Sequence, residues 1–112
     1  MPYPNDKLRA KDAARLAAIQ NPNPTPEEIE AAAHVLRLFY KFAAAYQNSF
    51  YTEQDRNASQ ADRAAADAKS EKAYKRAADA LKPYKMRIDC PGLNPIIDYE
   101  NGANFTYGHY YN

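Results

Sequence analysis

Two periodicities divide this chain at Pro83: apolar residues recur at helical spacing before it and alternate at strand spacing after it. The clearest local signal is Thr25-Pro26-Glu27-Glu28, in which Thr25 caps, Pro26 suits the first helical position and Glu28 closes a capping box. No glycine or proline follows until Pro83, so the helix that starts here is predicted to run to about residue 55. On a helical wheel Glu30, His34, Arg37, Lys41, Asn48, Thr52 and Asp55 share one narrow polar stripe. The opposite half carries Ile29, Ala32, Val35, Leu36, Phe39, Phe42, Ala43, Tyr46 and Phe50. An apolar arc that wide exceeds what one neighbour needs, and predicts a central helix touching two others.

A weaker helix is predicted over about residues 5–20, capped by Asn5 or Asp6, with Leu8, Leu16 and Ile19 as its large apolar anchors. Asn21-Pro22-Asn23-Pro24 stops it. A break at Arg56-Asn57-Ala58-Ser59, with Asp62 three residues beyond Ser59, starts a third helix over about residues 60–82. Ordinary helix lengths disfavour the alternative of one helix running through the break. The buried stripe of the third helix is Ala66, Ser70, Ala73, Tyr74, Ala77 and Leu81, small enough for the second helix to seat its aromatics against it. The pair forms an antiparallel helical hairpin.

After Pro83, residues 85–90 place Met86, Ile88 and Cys90 on one strand face, and Pro91-Gly92-Leu93-Asn94-Pro95 forms a turn or loop. Asn101-Gly102 lies between two β-prone runs and predicts a hairpin over about residues 96–108, with Ile96 opposite Tyr107 and Asp98 opposite Phe105. Ile96, Phe105 and Tyr107 are then the face that packs on the helices. The expected fold class is α+β, mainly α: one domain of three helices and a small C-terminal β-hairpin, extended by residues 85–90 as a third strand.

Composition narrows the function classes. Of 112 residues 46% are apolar, yet there is no tryptophan and ten residues are tyrosine, so the core must be thin and aromatic. The longest uncharged apolar run, residues 42–46, is far too short to span a membrane. The opening MPYPNDKLRAKDAAR lacks the apolar stretch of a secretory signal, and a single cysteine forms no internal disulfide. A cytoplasmic location is expected, in the host cytoplasm if the chain is phage-encoded. Net charge is only +1, but residues 59–88 hold eight Lys or Arg against four acids, and residues 89–112 hold three acids and no base.

No catalytic, cofactor or metal motif is recognisable. Cys90 and His109 would need mutual contact and an electropositive setting to act as a nucleophile pair, and the simpler reading of Cys90 is a buried or half-buried structural residue. Glu30 and His34, one turn apart, lack a third metal ligand and read as an exposed side-chain pair. Three glycines are too few for a phosphate cradle.

Two surfaces stand out instead. Tyr99, His109, Tyr110 and Tyr111 gather the large amphipathic side chains favoured at protein interfaces, and are the expected partner-binding residues. Lys69, Lys72, Lys75, Arg76 and Lys82 form a basic face on the third helix that suits nucleic acid, with Tyr84 nearby to stack on a base. Against this, Glu71 can neutralise Lys75, and Asp79 can neutralise Arg76 or Lys82. The leading expectation is a non-enzymatic protein-binding module without cofactor, monomeric or homodimeric, of the kind that includes small phage or mobile-element inhibitors such as anti-CRISPR proteins. Nucleic-acid binding is the alternative.

Overall fold

The computed structural model of the chain describes residues 6–98 and 104–106, with side chains from residue 10 to residue 97. Three helices, α1 (Asp6–Gln20), α2 (Pro26–Gln54) and α3 (Gln60–Leu81), precede a single 3-10 turn, Lys82–Tyr84. Three short strands follow: β1 (Arg87–Asp89), β2 (Ile96–Asp98) and β3 (Asn104–Thr106). The predicted fold class holds, mainly α with a small antiparallel sheet.

Capping chemistry decides where α2 and α3 begin. The Glu28 amide donates to the Thr25 hydroxyl at 3.2 Å, and the Thr25 amide donates to the Glu28 carboxylate at 2.9 Å. Asn21 adds a third donor to that carboxylate at 3.0 Å. The Glu28 carboxyl therefore titrates below its ordinary value, held there first by the Thr25 backbone, then by Asn21 and the Thr25 hydroxyl, against a smaller opposing effect of desolvation. Ser59 and Asp62 repeat the box at α3, with both bonds at 3.0 Å. The predicted break between the two long helices is thus a tight turn over residues 55–59, in which the Asp55 carbonyl accepts from the Ala58 amide and from Arg63.

The end of the helical part is built differently. The Met86 amide reaches the Leu81 carbonyl at 3.4 Å and the Lys85 amide reaches the Lys82 carbonyl at 3.0 Å, the bonding pattern of a Schellman motif. Leu81 and Met86, which such a motif brings together, are both buried. Lys85 occupies its left-handed position, φ 55°, where glycine is the usual residue.

The core lies where α1 and α3 pack on the first two-thirds of α2, and the sheet joins it through Ile88 and Ile97. Leu16, Leu36, Phe39, Tyr40, Leu81 and Ile97 are fully enclosed, with Ala13 and Ala17 letting α1 approach closely. Tyr40 belongs to neither arc predicted for α2, yet it is fully buried. The buried carboxylate of Asp12 pairs with Arg15 at 2.9 Å. Two expected core residues are not core: Phe50 is 45% and Tyr74 44% exposed. At about 1.5 Å per residue α2 is about 43 Å long and α1 about 22 Å, so α1 cannot reach the far end of the hairpin. No residue from Phe50 to Ala65 is buried. Tyr74 sits at the margin of its stripe, edge-on to Phe42 at 5.3 Å with its outer side uncovered.

The sheet has the order β1-β2-β3, antiparallel throughout. Its register departs by one residue from that predicted with a two-residue loop: Phe105 stands opposite Ile97 and Asn104 opposite Asp98. A one-residue shift exchanges faces, and burial chooses between the two registers. Ile97, 0% exposed, faces the helices in place of the expected Ile96, which is half-buried. In β1, Ile88 and the preceding Met86 are buried as expected, but Cys90 lies beyond the strand end and is exposed.

Candidate functional site

The two faces of the α2–α3 seam are filled unequally. On one, Phe42 stacks with Tyr46 at 5.7 Å and with Tyr74, and the Ser49 hydroxyl donates to the Asp67 carboxylate. On the other, beyond Leu38, the neighbours are Ala44, Ala45 and Ala73, too small to close the space between two helices. What remains is a furrow of about 630 Å³ with an alanine-rich floor.

Its rim is basic. Lys41 stands on the α2 side, and Lys69, Lys72 and Arg76 stand on the α3 side. Spacings of three and four residues put the α3 cations on one helix face, where each adjacent like-charge pair costs about 0.2 to 0.5 kcal/mol. No anion offsets that cost: among the described residues none of these four cations forms an ion pair. A row of unneutralised cations above an apolar floor suits a ligand that brings carboxylates or phosphates together with aliphatic surface.

Toward the hairpin turn the furrow passes Asn48 and Lys69 into a shallower hollow of about 450 Å³. There Asp55 and Asp62 outnumber the one remaining cation, Lys69, around Ala58, Ala65 and Ala66. The furrow is therefore electrically asymmetric along its length.

Of the predicted basic face, Lys69, Lys72 and Arg76 are brought together, whereas Lys75 and Lys82 lie outside the furrow. Lys82 pairs with Asp79 at 3.3 Å, one of the two neutralisations anticipated for Asp79. The anticipated Glu71–Lys75 pair is not formed, nor is Asp79 paired with Arg76. Tyr84 is buried and cannot stack on a base; burial, then the Glu28 charge, pushes its hydroxyl up from the ordinary tyrosine value. Tyr99, His109, Tyr110 and Tyr111 lie outside the described residues.

The chain matches no family model, and no curated protein or solved structure is significantly similar to it.

The remaining chemical candidates are placed as follows. The Cys90 thiol is raised above its ordinary pKa by desolvation and by the neighbouring Asp89 charge, which lowers its thiolate fraction at neutral pH. Glu30 is held by Arg37 at 3.2 Å, not by His34, because the longer guanidinium side chain spans two turns. No group of three His, Cys, Asp or Glu among the described residues is placed to hold a metal ion.

Lys41 was hidden in the sequence as one member of an exposed polar stripe. Residues equidistant from the hairpin turn meet across the seam, Phe42 with Tyr74 and Ser49 with Asp67. Counting outward from the turn places Lys41 level with residues 75 and 76, which is the signal that would have joined it to the basic face.

Proposed function

We propose that this chain is a non-enzymatic protein-binding module whose docking site is the furrow along the α2–α3 seam, and whose partner presents an acidic segment with aliphatic side chains. The observation that carries the reading is a set of four cations, Lys41, Lys69, Lys72 and Arg76, that form no ion pair among the described residues and stand around an alanine-lined floor. Three features favour acidic protein over nucleic acid. Net charge is only +1, far below that of a basic nucleic-acid-binding domain. Among the described residues no aromatic ring lines the furrow to stack on a base. Asp55 and Asp62 at one end repel a continuous phosphate backbone. Within this reading, small size and the lack of a catalytic motif fit an inhibitor of the kind that phages and mobile elements direct at host machinery, anti-CRISPR proteins among them.

The test is fluorescence anisotropy with a labelled amphipathic peptide of Glu, Leu and Ala, about four helical turns long. Reversing three contacts at about 0.5 to 1 kcal/mol each predicts that Lys69→Glu, Lys72→Glu and Arg76→Glu together weaken binding on the order of 10- to 100-fold. Circular dichroism should be unchanged, because these side chains are exposed. An undiminished affinity in the triple variant, or tighter binding of an oligonucleotide than of the peptide, sinks the proposal.

A further inference from the structure

Resting on that reading, we infer that the furrow takes its acidic partner segment as a helix, in one direction only, parallel to α3. The walls of the furrow are helix sides, whose backbone amides and carbonyls are already bonded within α2 and α3. An extended segment would therefore leave its own backbone groups without partners along the floor. A helix satisfies its backbone internally and needs only a floor low enough for close approach. The floor supplies it: Ala44, Ala45 and Ala73 at the basic end and Ala58, Ala65 and Ala66 toward the turn.

The dimensions agree. Lys41 and Asp55 on α2 are 14 residues apart, as are Asp62 and Arg76 on α3. Each flank is therefore about 21 Å long, the length of about four helical turns. Direction follows from the charge asymmetry. A helix carries about half a positive charge at its N-terminus and half a negative charge at its C-terminus. Asp55 and Asp62 each commit one carboxylate oxygen to the hairpin turn, to the Asn57 and Ser59 amides, and keep the other. They attract the N-terminal end of the bound helix, while Lys41, Lys72 and Arg76 attract its C-terminal end and the carboxylates along its side. The bound segment thus runs from the turn toward Arg76, in the direction of α3, and completes a three-helix layer.

The experiment places a nitroxide on the N-terminus or the C-terminus of the same Glu-Leu-Ala peptide and reads the broadening of backbone amide signals of the full chain. The N-terminal label is expected to broaden residues 55–65 and the C-terminal label residues 41 and 76. The reverse pattern, or equal broadening at both ends from either label, overturns the direction while leaving the furrow as the site. A bound peptide with extended-chain shifts overturns the helical occupant. If the peptide does not bind, or the triple charge-reversed chain binds it equally well, the docking site itself is wrong and the inference falls with it.

Discussion

Replacing Phe39 and Phe50 separately by alanine measures how far the core extends along α2. Eleven residues apart, the two lie within about 20° on the helical wheel and about 16 Å apart along the axis, so periodicity treats them as equivalent. The structure does not: Phe39 is 0% exposed and Phe50 is 45% exposed, beyond the reach of α1. Phe39→Ala removes a fully enclosed ring and leaves a cavity, at a cost of about 3 to 5 kcal/mol. Phe50→Ala leaves no cavity and forfeits about half of a transfer energy of roughly 1.5 to 3 kcal/mol, so its cost is about 1 kcal/mol. At about 0.05 to 0.15 kcal/mol per residue, the 112-residue chain has about 6 to 17 kcal/mol to lose. Urea unfolding followed by far-ultraviolet circular dichroism reads both costs from the midpoints, provided the slope is unchanged. Equal costs for the two variants would refute the claim that the hairpin projects past its core.

Three further outcomes follow from local features. Glu28→Gln should remove a pH dependence: the folded pKa of Glu28 is lowered, so its contribution is complete above its ordinary value of 4.5 and is lost as pH falls through the lowered one, a trend visible in acid titration of the wild type and absent in the variant. Lys85→Gly should raise stability by up to about 1 kcal/mol in thermal unfolding, since the left-handed conformation costs a lysine about 1 to 2 kcal/mol and the entropy lost by glycine offsets only part of this. Cys90 should react completely with a disulfide reagent in the native state but more slowly at neutral pH than an unstructured cysteine peptide, because the thiol is raised. A faster reaction would return Cys90 to the list of nucleophiles.

The parts of the fold that rest on contiguous residues were readable in advance. Thr25 with Glu28 and Ser59 with Asp62 announce two helix starts within a few residues, because a capping box needs nothing from the rest of the chain. What needed distant partners was not. The wheel gave Phe50 and Tyr74 a buried face but could not say that α1 stops short of the first and that the second stays 44% exposed. Asn101-Gly102 implied a register that the burial of Ile97 overrode. Cys90 looked like the third residue of a buried strand face, but the strand ends before it. The candidate site was half legible: Lys69, Lys72 and Arg76 sit at helical spacing in one segment, whereas Lys41 joins them only through the pairing of two helices. That Arg76 keeps its charge free was invisible, since Asp79 is as well spaced for Arg76 as for Lys82, and only side-chain placement shows it paired with Lys82.

Amide chemical-shift mapping during titration with the Glu-Leu-Ala peptide decides whether the furrow between α2 and α3 is where this protein meets an acidic partner. Shifts should concentrate in residues 38–55 and 62–76 and diminish with added salt, as contacts to exposed charges must. Shifts concentrated in β1 and β2, or no shifts at low ionic strength, would contradict it.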